Sequence, residues 1–373
     1  MIKAEDNRKK IVALITVHVG PNFGSVLQTI ATCDVFQRFG LNPIVVNYIP
    51  ERVTYKRAFR DAIKSIKKLI VLPARLANWY ANNQVYGGFL KKHCNLSNAI
   101  YADDDFSRKC PVADFYVTGS DQVWNSTHNE GVDTHYFWDG IKGVKIAYSS
   151  SIGKKIDSED EKSSFVRFLG GYKAISVREQ SACQELAKLG ISSEVLIDPT
   201  FMLDRKQWLK YTSKRLVEEP YLFVYLPYNI VDKGVVYDAA RRVANAKGLK
   251  VVTFSRVVNR ERLADKTFLY ANPGDFLSLM YYADYVITNS FHGTAFSINL
   301  NKQFSVFMPS HFSTRIENIL DICNLKDRLL TGSEQLDFWN DAIDFSISNR
   351  ILDSKRSETI SFLNKSFHNE DVL

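Results

Sequence analysis

The chain has 373 residues, 45% of them hydrophobic and 13% aromatic, with a formal net charge of +7. That length is long for one core and suits two domains, and the composition excludes disordered, collagen-like and disulfide-scaffold chains. The five cysteines, Cys33, Cys94, Cys110, Cys183 and Cys323, are scattered without a Cys-x-x-Cys pair, which suits reduced thiols in a cytoplasm and gives no zinc spacing.

In chain order, the charged start "MIKAEDNRKK" gives way to an apolar run over 11–17. It is too short and wrongly flanked for a signal peptide, and no stretch reaches the length of a membrane-spanning helix. "IVALITV" (11–17) reads as a strand that opens into His18, Asn22, Gly24 and Ser25 ahead of Gln28, with a helix predicted over 26–39. "PIVVNYI" (43–49) reads as a second strand. Residues 55–80 carry Lys56, Arg57, Arg60, Lys64, Lys67, Lys68 and Arg75 against Asp61 alone, nearly the whole net excess. Phe59, Ile63, Ile66 and Ile70 fall on one face of the helix predicted here and the bases on another. The expected arrangement is a helix docked by its apolar face, the alternative a helix lying on anionic lipid. No recognition motif accompanies these bases, which argues against nucleic acid.

Short strands follow at "DFYVTG" (114–119), "VKIAYSS" (144–150) and "AISV" (174–177), with helices near 158–169 and 180–188 and "EVLIDP" (194–199) closing the half. Glu218, Glu219 and Pro220 mark a break. The pattern then repeats: "YLFVYLP" (221–227), a helix near 231–246, "LKVVTFS" (249–255), a helix near 274–281, "YVIT" with its helix, and "FSVFM" (304–308). The alternation predicts an α/β protein of two doubly wound, Rossmann-like domains facing a central cleft. Their expected bounds are 1–215 and 216–345, with a helix in 346–373 packing back across both.

Polar residues collect at the strand ends. "DFYVTG" runs into Ser120, Asp121, Gln122, Trp124 and Asn125; "AISV" into Arg178 and Glu179; "FSVFM" into Ser310, His311 and Arg315. "DYVIT" is short and apolar without alternation, as an interior parallel strand should be, and it ends in Asn289, Ser290 and His292. Gly293 is expected to make the turn and Thr294 to cap the helix "AFSINL". His292 then lies near a helix amino terminus, where free N–H groups favour anions. No dinucleotide fingerprint, phosphate-binding loop, nucleophile elbow or metal-ligand spacing is present, so no metal site is assigned. What remains is an anion site built from Arg, Ser, Asn, His and helix ends.

The segments "NFGSVLQ" (22–28), "VTGSDQVWN" (117–125), "ISVREQS" (175–181), "LIDPTFMLD" (196–204), "DYVITNSFHGTAFSI" (284–298) and "STRIENIL" (313–320) occur in this order. Together they resemble the polysaccharide pyruvyl transferase family, over about residues 10–330. The resemblance implies a fold like the two-domain GT-B glycosyltransferases, with the first domain on the acceptor side. It implies transfer of the enolpyruvyl unit of phosphoenolpyruvate onto two hydroxyls of a sugar in a surface polysaccharide precursor, giving a pyruvate ketal and phosphate. Phosphoenolpyruvate is then the donor substrate, no separate cofactor is expected, and the acceptor is a saccharide, with a lipid-linked one and peripheral contact with the cytoplasmic membrane face as the extension.

Carried over by motif, Arg178 resembles the arginine that grips the donor and His292 the histidine beside its reacting end. Some characterised members have Arg-Leu-His where this chain has Ser290, Phe291 and His292, so Arg178, Arg315 and helix-end N–H groups are left to hold the donor. Imidazole can serve either proton step, and Asp121 and Glu179 are candidates for the second proton-transfer group. The remaining candidate substrate contacts are Ser290, Asn289, Gly293, Thr294, Ser120, Gln122, Asn22, Gly24 and Ser25. Two other readings stand beside this one: a GT-B glycosyltransferase using a nucleotide sugar, and a non-catalytic sugar-binding relative.

Overall fold

Two six-stranded parallel sheets organise the chain in the computed structural model, which describes residues 8–64, 70–228, 233–255, 263–309, 313–330 and 341–368. Ile66, Lys67, Lys68, Ser310 and His311 lie outside the described residues. The first sheet has the order β2-β1-β5-β6-β7-β8, from β1 (Ile11–Ile15), β2 (Asn42–Val45), β5 (Phe115–Thr118), β6 (Val144–Ser150), β7 (Tyr172–Val177) and β8 (Glu194–Val195). The second has the order β11-β10-β9-β12-β13-β14, from β9 (Tyr221–Tyr225), β10 (Lys250–Ser255), β11 (Lys266–Leu269), β12 (Tyr285–Thr288), β13 (Gln303–Phe307) and β14 (Leu329–Leu330). In each sheet the chain order reverses beside the first-formed strand, β1 or β9. These are the two topological switch points, where open α/β sheets bind ligands.

Strand composition accounts for the layering. Val12 and Leu14 enter one core while Ala13 and Ile15 enter another, so β1 is covered on both faces. In β9, Tyr221, Phe223 and Tyr225 point to one side and Leu222 and Val224 to the other. The core that takes Val12 and Leu14 is the one that takes Phe223 and Tyr225, so apolar packing runs unbroken between the halves. Phe23 lies in the middle of it. Its ring stacks on Tyr86 at 5.1 Å and on Phe276 at 4.7 Å and meets Phe254 edge-on at 4.8 Å.

The helices named below are α1 (Phe23–Arg38), α2 (Tyr55–Ala62), α3 (Leu72–Asn82), α4 (Glu159–Leu169), α5 (Gln180–Lys188), α6 (Lys233–Lys247), α7 (Pro273–Tyr282), α8 (Phe291–Asn299), α9 (Ser313–Ile322) and α10 (Ser346–His368). In α10, Ser348 donates to Cys323 O, Arg356 donates to Phe201 O and Asn299 Oδ1, and Phe367 meets Phe36 and Phe115.

Several local expectations are corrected. The first helix starts at Phe23 rather than residue 26, because the Asn22 side chain caps it by accepting from Gly24 N and Ser25 N at 3.0 and 3.3 Å. The strand expected over 43–49 breaks after Val45, and β3 (Tyr48–Ile49) pairs instead with β4 (Ile100–Tyr101) in a separate two-stranded sheet. "EVLIDP" is extended and paired only at β8, and Asp198 begins a 3-10 turn. Among the described residues of 55–80 the helix is not continuous: α2 ends at Ala62 and α3 begins at Leu72, and Phe59, Ile63 and Ile70 are exposed rather than docked.

Candidate functional site

The two switch points face each other across a cleft of about 310 Å³ lined by Asn22, Ser25, Arg52, Asp121, Gln122, His128, Tyr225, Tyr228, Ser290, His292 and Arg315, among others. From the first sheet come the end of β1, the amino terminus of α1 and the turn after β5. From the second come the end of β9 and the amino terminus of α8. Both helices begin at this space, so their positive dipole ends face it.

On the first side, Asp121 has φ of 73°, in the left-handed region that costs an ordinary residue of order 1–3 kcal/mol. It is pinned there by Ser25 Oγ, which donates to Oδ2 at 2.6 Å, and its Oδ1 accepts from Gln122 N at 2.9 Å. With the Gln122 amide turned so that both groups are satisfied, its oxygen accepts from both terminal nitrogens of Arg315 at 2.7 and 3.0 Å.

On the second side, Ser290 caps α8, accepting weakly from Gly293 N at 3.4 Å, and this places His292 in the first turn of the helix. Thr294 is therefore not the cap: it lies inside the helix and its hydroxyl donates to Ser290 O. Gly293 is helical as well. A Cβ there would lie 2.2 Å from Thr288 Oγ1, so the glycine serves close packing, not a turn. A Cβ on Gly24 would lie 1.9 Å from His292 Nδ1, so the imidazole rests directly on the amino-terminal turn of α1.

Below the imidazole is a buried charge cluster. Arg178 Nη1 donates to Asp198 Oδ2 at 2.6 Å, while Nη2 stands 3.7 Å from Asp121 and Nε 3.9 Å from Glu179. Among the described residues, Arg178 Nε and Nη2, Glu179 Oε2 and His292 Nε2 have no hydrogen-bond partner. A buried donor left so costs about 1–3 kcal/mol, more when charged, unless a ligand supplies the acceptor. The Phe291 ring lies beneath the Arg178 guanidinium at 4.6 Å, with that of Arg315 at 5.8 Å.

These contacts set the proton affinities. At Asp121 burial works against ionisation, but Arg178, then His292, the Ser25 hydroxyl and Arg315 offset it and hold the carboxyl at about 2. Burial likewise opposes ionisation at Asp198, and Arg178, His292 and the Thr200 donors keep it below its ordinary value. For His292 burial wins over the pull of Asp198 and Asp121, and its pKa falls below 6.5. The 3.9 Å approach of Nε2 to Asp198 is therefore not an ion pair at neutral pH, and the ring is a neutral imidazole.

A profile of the polysaccharide pyruvyl transferases matches residues 22–311, most of the chain and most of the segments that build this cleft, with the end of β1 and Arg315 outside the matched span. The chain belongs to the polysaccharide pyruvyl transferase family. Its membership makes it a transferase of polysaccharide biosynthesis with a saccharide acceptor. No curated protein matches it. Among solved structures it is similar to a UDP-N-acetylglucosamine 2-epimerase, at 10% identity, 98% coverage of each chain and a TM-score of 0.52. It is also similar to the S. aureus MnaA–UDP co-structure, at 11% identity, coverage of 95% of this chain and 96% of that one, and a TM-score of 0.50. Identities this low bear on the fold alone, a GT-B-like pair of Rossmann-like sheets.

Within this pyruvyl transferase family member, the structure sorts the residues singled out by sequence. Asn22, Ser25, Asp121, Gln122, Ser290, His292 and Arg315 line the cleft, with Gly24 beneath the imidazole. Arg178 and Glu179 instead line a second chamber of about 270 Å³, with Asp198, Phe291, Arg315 and Lys355 on its wall. Glu179 Oε1 accepts from Ser151 Oγ, Ile152 N and Gly153 N, which anchors the loop after β6. Ser120 is buried behind the cleft and donates to Asp198, and the Asn289 amide is spent on Tyr228 O. Asp198, the closest partner of Arg178, was not singled out. The signal was present in "LIDPT", an acid at the end of an apolar run beside a proline.

The two close approaches give a stability prediction. Gly24→Ala and Gly293→Ala each overpack a filled space and should cost about 1–3 kcal/mol in denaturant unfolding. Gly87→Ala, whose Cβ meets nothing within 4 Å, is the control and should change little. Equal effects at all three positions would mean that the contact at His292 is not tight.

Proposed function

We propose that the protein moves the enolpyruvyl unit of phosphoenolpyruvate onto two hydroxyls of a saccharide in the cytoplasm. The observation that carries this reading is the meeting at one cleft of two helix amino termini, Arg315 and a His292 Nε2 without a hydrogen-bond partner among the described residues. This suits a small, multiply charged anion that must exchange a proton. Arg178, with two donors lacking hydrogen-bond partners and a guanidinium stacked on Phe291, is the group to grip a carboxylate or phosphate from behind.

In the proposed reaction C3 of the donor gains a proton and becomes a methyl group. One sugar hydroxyl adds to C2, the C2–O bond to phosphate breaks, and a second hydroxyl takes its place. Of the two hydroxyl protons released, one balances the C3 protonation and one leaves with phosphate. A neutral His292 is in the form that accepts a hydroxyl proton. Asp121, held ionised at about 2, serves as a fixed negative charge for the imidazolium that results.

Calorimetry against phosphoenolpyruvate and against UDP-sugars tests the donor. Heat with phosphoenolpyruvate alone, followed by phosphate release when a saccharide diol is added, is the expected result. Heat with a UDP-sugar and none with phosphoenolpyruvate would replace this reading with nucleotide-sugar transfer.

A further inference from the structure

Residues 55–80 form a small part of the chain, yet of the seventeen large apolar side chains exposed among the described residues, seven are here. They are Tyr55, Phe59, Ile63, Ile70, Val71, Trp79 and Tyr80, with Ile70 at 74%, Tyr80 at 61% and Ile63 at 60% exposure. Tyr55, Phe59 and Ile63 recur every four residues, so they share one face of α2 and its carboxyl-terminal end. The Trp79 ring on α3 meets Tyr55 edge-on at 6.3 Å, which joins the two helices into one surface.

Interleaved with these side chains are Lys56, Arg57, Arg60, Lys64 and Arg75. Lys56 pairs with Asp103 at 3.8 Å and Arg57 with Glu130 at 3.2 Å, and Arg60 pairs with Glu51. These are exposed pairs, weak enough for a dense anionic surface to compete with. The face abuts the cleft. Arg52 and Val53 line the cleft, Thr54 caps α2, and Trp79 Nε1 donates to Val53 O at 3.1 Å.

We propose that this face docks the protein on an anionic bilayer surface, holding the cleft mouth where an acceptor saccharide carried on a lipid is presented. Aromatic and aliphatic side chains enter the headgroup boundary while the bases meet lipid phosphates, the composition of an interfacial helix. No helix among the described residues is long and apolar enough to cross a membrane, and this contact needs none. The docking is independent of the pyruvyl-transfer reading; only the delivery of a lipid-linked acceptor rests on it.

Sedimentation of the full chain with vesicles is read without turnover, so its outcome is separate from that of the donor assay. Vesicles of equimolar phosphatidylcholine and phosphatidylglycerol should bind the protein at low salt, vesicles of phosphatidylcholine alone should bind it weakly, and salt should release it. The combined Phe59→Ser, Ile63→Ser and Ile70→Ser variant should lose about tenfold or more in binding with an unchanged melting temperature. Lys64→Gln and Arg75→Gln should each remove about fivefold, the contribution of one basic residue near an anionic surface. Three results overturn the proposal: no sedimentation at low salt, a serine variant that sediments like the wild type, or a concentration-dependent dimer that the serine variant abolishes, which would make the face a subunit interface.

Discussion

His292→Asn keeps the fold and the donor affinity and loses transfer by about 10² to 10⁴. The fold survives because Nε2 makes no hydrogen bond among the described residues and Asn is small enough to rest on Gly24 without pushing α1. Transfer falls because an amide cannot take up a proton near neutral pH. The pH profile separates this from damage elsewhere. Burial holds the imidazole below 6.5, so wild-type transfer should be level through neutrality and decline only as pH falls past that lowered value. In the variant that acid limb should vanish from the residual rate. Full turnover in His292→Asn, or inactivity explained by a lowered melting temperature, would return the residue to a packing role.

Arg178→Met should damage both stability and binding. It strips the partner from Asp198, which is fully buried, and breaking a buried pair from one side costs about 3–5 kcal/mol. The donor should also bind poorly, with transfer down by about 10² to 10³. Arg178→Lys divides the two effects. It keeps a charge for Asp198 and should recover most of the stability, but it lacks the planar fork and the stacking on Phe291, so donor affinity should stay low. Calorimetry beside denaturant melts makes the comparison. Donor affinity at the wild-type level in a stable Arg178→Lys would mark the arginine as a keystone of the fold alone.

The alternation of the chain was legible because parallel strands buried on both faces read as unbroken apolar runs, as in "YLFVY" and "YVIT". The cleft residues were legible for a related reason: polar side chains directly after such runs fall at strand ends. What escaped were choices made by tertiary contact. Whether Ser290 or Thr294 caps α8 depends on one hydroxyl reaching Gly293 N, and both residue types are good caps. The role of Gly293 is set by Thr288, a neighbour invisible to local pattern. The helical face of Phe59 and Ile63 was read correctly as a face, but periodicity does not say whether protein or solvent lies against it. Arg178 and His292 both follow apolar runs, and the sequence placed them at one cleft. That Asp198 links them, with Arg178 in the chamber behind, required distances.

Phe23 opens α1, the helix whose end supports His292, yet its ring is seated among Phe254 and Phe276 of the second sheet's half. During synthesis the first half emerges from the ribosome well before those aromatics exist. Until they do, Phe23 has Tyr86 to stack on but lacks the part of its seat that the second half supplies. The cleft is therefore completed late, when the second half docks, and a truncated first half carries the amino-terminal turn of α1 without the imidazole that rests on it.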